Sequence, residues 1–264
     1  IFVYSLGNWK APFGIVLVLD QFSILMVLVT SLIAFGALWY AISEGIDKKG
    51  AHFHPLFQLQ LFGLNGAFLT GDLFNLFVFF EILLLASYSL LLHAKGEGRV
   101  KAGLHYVVIN LVGSTLFLFA VGTLYGILGT LNIADLSQKV AHLSPENVSI
   151  VASAGLLLLI VFGLKAAMFP LYFWLPNAYG KTSAPVAALF AIMTKVGIYS
   201  IIRVHGTIFG QNANELAFYY TPWVLYIGLI TLVLATFGVL SSRELKTQIS
   251  YLVLLSVSTI LIAI

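Results

Sequence analysis

Three ionisable residues stand in apolar runs long enough to cross a bilayer. Glu81 interrupts Gly71-Asp72-Leu73-Phe74-Asn75-Leu76-Phe77-Val78-Phe79-Phe80-Glu81-Ile82-Leu83-Leu84-Leu85, Lys165 lies in Val161-Phe162-Gly163-Leu164-Lys165-Ala166-Ala167-Met168, and Lys195 in Ile192-Met193-Thr194-Lys195-Val196-Gly197-Ile198. An acid and two bases set in hydrocarbon suit the uptake, holding and release of protons. A charge alone at mid-membrane costs roughly 2.5–3.5 kcal/mol on insertion scales, so three would cost roughly 8–10 kcal/mol. They are tolerable only facing one another or a hydrated cavity, which places Glu81 near Lys165, with Lys195 further along the same path. Burial disfavours a lysine's charge and a neighbouring carboxylate favours it. A lysine whose acid approaches and withdraws can therefore relay protons. The bland alternative is a Glu–Lys pair that only locks two helices; two lysines to one carboxylate count against it.

A second signal follows Lys165. Pro170, Pro176 and Pro185 punctuate the chain there, and proline removes a helical hydrogen bond and clashes with the preceding turn. In lipid the freed carbonyls need protein or water, so a break predicts a hydrated pocket beside Lys165, as in the interrupted helices of transporters; a kink serving only packing is the alternative. Asp72 opens its helix, where a carboxylate suits the positive helix end, or it belongs to the pathway. His105, Asn110, Ser114 and Thr115 either line water or hydrogen-bond neighbouring helices. Asn65 reads as helix–helix glue. His205 is a proton exit or an interfacial residue, and Pro170 and Lys246 are further candidates for the pathway or pocket. His52-x-His54 lacks further ligands for a metal, and no phosphate loop, nucleophile elbow or zinc helix motif is present.

Those residues need a membrane scaffold to hold them. Apolar residues make up 60% of the chain and charged residues 9%, against about 25% charged in soluble domains, so an all-α, polytopic transmembrane bundle in a cell (inner) membrane is expected. Eight spans are predicted, near 15–42, 54–70, 73–92, 103–128, 150–178, 184–205, 222–240 and 247–264. Lys48, Lys49, Lys95, Arg99, Lys101, Lys181, Arg243 and Lys246 then fall on one face, which the positive-inside rule assigns to the cytoplasm. Lys10, Lys139 and Arg203 fall toward the other face. Trp9, Trp39 and Trp223 sit near span ends, as interfacial aromatics do. Residues before the first span read as an amphipathic loop, and 129–149 as a solvated connector. The net charge of +3 calls for no nucleic-acid partner. Without cysteine, disulfides, thiolate metal sites and iron–sulfur clusters held by this chain are excluded. No cofactor or metal is expected, and the transported species are the ligands. The chain starts with Ile1 and stops inside an apolar run, and is read as an internal piece of a longer protein.

The run Gly71 to Glu81 closely resembles the glutamate helix of the antiporter-like subunits shared by Mrp-type multisubunit Na⁺/H⁺ antiporters and respiratory complex I. Lys165-Ala166-Ala167-Met168-Phe169-Pro170-Leu171-Tyr172-Phe173-Trp174-Leu175-Pro176 is similar to their lysine-bearing broken helix. Ser183-Ala184-Pro185 through Thr194-Lys195-Val196-Gly197 resembles the helix after it. The wording around Pro170, and Arg243-Glu244-Leu245-Lys246 before Ser250-Tyr251, looks most like the D-type branch. Tyr172 and Asn177 stand where complex I relatives commonly carry His and Asp. The resemblance implies about 14 helices in two inverted five-helix units, with residues 54–205 as the first unit and 222–264 starting the second within one transmembrane domain, 1–264. It implies a proton path through Glu81, Lys165 and Lys195, other hydrophobic subunits as partners, and transport of H⁺ and Na⁺ rather than enzymatic turnover. The rivals are a proton-pumping subunit of a complex I-type oxidoreductase or membrane-bound hydrogenase, and a purely structural scaffold.

Overall fold

The computed structural model describes residues 1–93 and 97–264; the loop lysine Lys95 lies outside the described residues. The chain opens with a hairpin of strands β1 (Phe2–Ser5) and β2 (Val16–Leu19), followed by α1 (Gln21–Ser43), α2 (Phe53–Leu69), α3 (Leu73–Leu92) and α4 (Glu97–Leu128). Next come α5 (Ile133–Val140), α6 (Val148–Ala166), α7 (Trp174–Lys181), α8 (Ala184–Ser200), the short α9 (Gly206–Ile208), α10 (Thr221–Ser241) and α11 (Leu245–Ile262). Among the described residues seven helices are long and apolar enough to cross a membrane. The remaining expected span, α2, has 17 residues, about 25 Å at the helical rise, and packs along α3.

Local chemistry sets the ends. The first span begins later than expected, because Val16–Leu19 pairs with Phe2–Ser5 as a strand and Asp20 caps α1. Asp20 Oδ1 accepts from the Ser23 N–H at 2.9 Å while the Asp20 N–H donates to Ser23 Oγ at 2.8 Å, a reciprocal box that satisfies orphan donors of the first turn. Asp72 caps α3 by accepting from the Asn75 N–H at 2.9 Å. Asn132 caps α5 through the N–H groups of Ala134 and Asp135. Residues 129–149 are thus not merely a solvated connector: α5 buries Ile133, Leu136 and Val140 against the bundle.

Isolated bridges join Leu17 to Thr70 and Asp72 to Asn132. They gather the start of α1, the α2–α3 turn and the end of α4 at one end of the bundle, as the alternating orientation of the spans requires. Arg203 reaches the same end, forming a bidentate pair with Asp20 at 2.5 and 2.8 Å. The guanidinium holds the Asp20 carboxyl far below the usual carboxylate range. Tyr199 extends this tie, since its hydroxyl accepts from Arg203 at 2.9–3.0 Å and donates to the Phe68 carbonyl at 2.6 Å.

The centre of the bundle is α8. Of its most apolar window 72% is buried, more than in any other span, and it touches α1, α2, α3, α6, α7 and α11. It lies directly on α6: a Cβ added at Gly197 would stand 2.5 Å from the Ala166 nitrogen and 2.7 Å from the Phe162 carbonyl oxygen.

Candidate functional site: an intramembrane acid and two lysines

The lysine of α6 sits at the helix's own end. Ala167 adopts the left-handed region at φ 58°, and the Met168 N–H bonds back to the Gly163 carbonyl at 2.8 Å, the closure of a Schellman motif. The span expected over 150–178, with its break after Lys165, is therefore two pieces. Residues 167–173 leave the helix, and α7 starts afresh at Trp174. Phe169, inside the break, donates its N–H to Thr231 Oγ1 on α10 at 3.0 Å, so one freed backbone group is met by protein. Beside the break lies an opening of about 440 Å³, lined by Leu159, Ile160, Met168, Pro170, Trp223 and Ile227 among others. Its wall is apolar, not the hydrated pocket expected beside Lys165, because the proline-bearing segment turns Pro170 outward while Lys165 points into the bundle.

Lys165 is buried, with its Nζ 5.3 Å from the centroid of the Phe80 ring. A cavity of about 10 Å³, room for about one water, is lined by Lys165 together with Phe80, Leu84, Tyr106, Met193 and Val196. Glu81, half-buried on α3, follows Phe80, whose ring faces Lys165, yet no ion pair within 4.0 Å joins the two charged residues among the described residues. The carboxylate instead accepts a hydrogen bond from the Ser114 hydroxyl of α4, whose oxygen also lies 3.1 Å from the Asn110 carbonyl. The sequence marked Ser114 as water-lining or helix-bonding; the structure makes it the direct partner of Glu81.

Lys195 is partly buried, and no ion pair or hydrogen bond reaches it among the described residues. At about 100° per residue it continues the stripe of Ala184, Ala188 and Ala191. Those alanines line a groove of about 250 Å³ with Lys246, Ser250 and Val253 of α11. Met193 and Val196, which share the cavity of Lys165, lie on the other side of α8. The helix thus stands between the two lysines.

The other candidates are dispersed. His105 is exposed on α4 and does not join the cluster. Asp72 is a buried cap whose carboxyl burial pushes upward, against the pull of the Asn75 and Phe74 N–H groups. Lys246 is exposed at the start of α11 and walls the groove. His205 is wholly buried in a π-helical turn, with Nε2 2.9 Å from the Gly155 carbonyl. Asn65 is half-buried on α2, and its Oδ1 has no hydrogen-bond partner. Three features escaped the sequence reading: the Asp20–Arg203 tie, Tyr106 and Ser87. A carboxylate at the head of one span and an arginine at the foot of another on the same face was the available signal for the first.

Residues 70–264 match the family model described as NADH:quinone oxidoreductase/Mrp antiporter, transmembrane. The chain belongs to this family. A relative from Rhizobium meliloti, named as the D component of a probable K⁺/H⁺ antiporter, is 51% identical over 262 residues, covering 99% of this chain and 48% of that protein. The D component of a Na⁺/H⁺ antiporter from Alkalihalophilus pseudofirmus is 43% identical over 253 residues, covering 95% of this chain and 50% of its own length. In the solved Mrp complex from Dietzia sp. DQ12-45-1b, one chain superposes with a TM-score of 0.87 at 33% identity, over 98% of this chain and 48% of that one. This member of the NADH:quinone oxidoreductase/Mrp antiporter family is a multi-pass membrane protein, and it spans about half the length of the curated relatives it matches.

Proposed function

We propose that this chain carries the first proton-conducting unit of a D-type component in a multisubunit antiporter that exchanges protons for a monovalent cation, Na⁺ or K⁺. In this reading residues 54–205 form the first five-helix unit and 222–264 begin the second, with other hydrophobic membrane subunits as partners. Glu81 tunes Lys165 by approach and retreat, Lys165 holds the proton, and Lys195 receives it on the far side of α8. Movement of charge draws on the membrane potential, worth about 2.3 kcal/mol per charge per 100 mV.

The observation that carries this reading is that Lys165 is buried against Phe80, the residue next to Glu81, and yet is not locked to the acid by an ion pair. A helix-locking pair would be closed by direct contact. Here the acid is held by a neutral hydroxyl and the base has space beside it.

The test is cation-driven collapse of a proton gradient in everted vesicles carrying the full-length complex. Glu81→Ala and Lys165→Ala should abolish exchange and Lys195→Ala should reduce it strongly, all with normal assembly. Wild-type exchange from the Glu81 or Lys165 variant would defeat the assignment. The names of the relatives favour an antiporter over a redox-coupled pump; co-purification of iron–sulfur subunits would reverse that preference.

A further inference from the structure

An ammonium has three N–H donors and no acceptor, and a buried charge is costly unless its donors are met. Among the described residues Lys165 has an aromatic face at 5.3 Å and no ion pair. The side chains that share its cavity are apolar or thioether with one exception, Tyr106.

Each hydroxyl has one hydrogen to give, which orders the contacts around Tyr106. Ser87 Oγ donates to the Leu84 carbonyl at 2.9 Å, so in its 2.7 Å contact with the Tyr106 hydroxyl it accepts. The Met193 sulfur, 3.5 Å from the phenol oxygen, is the weaker acceptor of the two. Ser87 is thus the better acceptor for the phenol's single hydrogen, an arrangement that leaves a lone pair on the phenol oxygen. Gln60 Nε2 lies 3.7 Å from the same sulfur, occupying the other polarisable atom of the cavity wall.

Two hydroxyl-mediated rungs therefore join α3 to α4, Glu81–Ser114 and Ser87–Tyr106, about 9 Å apart along α3 at the helical rise. The cavity of Lys165 is walled by Phe80, Leu83 and Leu84, so on α3 it reaches from the level of Glu81 toward that of Ser87. We infer that Tyr106, oriented by Ser87, is the second acceptor of the Lys165 ammonium, the group to which it turns when it is away from Glu81. The inference rests on the proposed Glu81–Lys165 pair and adds the site that makes its retreat possible. Tyr106 is a positioning residue: the proton stays on nitrogen while the side chain changes acceptor, directly or through one water.

Tyr106→Phe removes only the oxygen and keeps the ring contacts with Trp174 at 5.2 Å and Phe190 at 6.4 Å. In the assembled full-length complex, exchange in this variant should fall about tenfold, the equilibrium equivalent of a hydrogen bond to a charged group. The infrared C–O stretch assigned to Tyr106 by its loss in this variant should move in Lys165→Met, a shift that a merely structural tyrosine would not show. Ser87→Ala, which frees the phenol hydrogen without changing the ring, should give a smaller loss. A wild-type rate in Tyr106→Phe, with a tyrosine band indifferent to Lys165→Met, would overturn the acceptor role; inactivity of Lys165→Ala beside it would leave the underlying pair standing. Wild-type exchange by Lys165→Ala would remove the pair and this inference together. Should Tyr106→Phe fail to assemble, Ser87→Ala decides, and full exchange there overturns the inference.

Discussion

The Ser114 hydroxyl donates to Oε1 of Glu81, so the carboxylate in the middle of α3 is held from α4 by a neutral group. A competing hydrogen bond weakens the acid's hold on a cation without removing its charge. Ser114→Ala should strengthen the Glu81–Lys165 attraction and slow exchange about threefold to tenfold without abolishing it, on the scale of one hydrogen bond. Initial rates in vesicles, normalised to assembled complex, check this; an unchanged rate would show that Ser114 has no part in setting the pair.

Gly197 lets α8 lie directly on α6. With a Cβ the contact to the Ala166 nitrogen would be 2.5 Å, and the atom it meets belongs to rigid backbone. Gly197→Ala should push the helices apart at the level of Lys165 and cost about 1–3 kcal/mol, as overpacking does. The measurement is the thermal midpoint in detergent, where no change would mean that the backbones yield.

Thr231 meets the Phe169 N–H across the break and donates to the Ile227 carbonyl at 2.7 Å. Thr231→Val keeps the shape and leaves that N–H without its acceptor, at a cost of about 1–3 kcal/mol. Faster hydrogen exchange at 167–173, with helices α10 and α6 unaffected, is the expected signature.

The Asp20–Arg203 pair predicts a pH dependence with a definite sign. Its carboxyl is held below its ordinary value, chiefly by the hydrogen bond from Arg203. The contribution is thus complete above the unfolded value of about 3.9 and is lost as pH falls through the depressed folded value. Asp20→Asn should be less stable than wild type by on the order of 1 kcal/mol, modest because the pair is partly exposed. The gap should be constant above about pH 5 and close in strong acid. A gap that widens on acidification would contradict this.

What could be read from the sequence followed from period and punctuation. The span 73–92 coincides with α3, because Asp72 at its head and an unbroken apolar run leave no other register. The break after Lys165 was legible from Pro170 and Pro176, although the helix ends before the first proline, through Ala167 and the Gly163 carbonyl. The hairpin of 2–5 with 16–19 was not legible, since its pairing is non-local and Val16–Leu19 merges into the apolar run behind it. Nor was α5, whose three buried residues are too few to mark a helix. Within the site, residue type revealed the charges but not their neutral partners. A serine in an apolar helix usually bonds its own backbone, as Ser89 does, and a tyrosine there usually packs. Only the facing of α3 and α4 distinguishes Ser114 and Tyr106 from such residues.

The position of α8 between Lys165 and Lys195 has an electrical consequence. Met193, which shares the cavity of Lys165, and Lys195 stand about 160° apart around one rod, so what separates the two amines is packed, weakly polarisable protein, across which like charges repel more strongly than across water. In the proposed relay, a proton handed from one lysine to the other would have to pass around that central column.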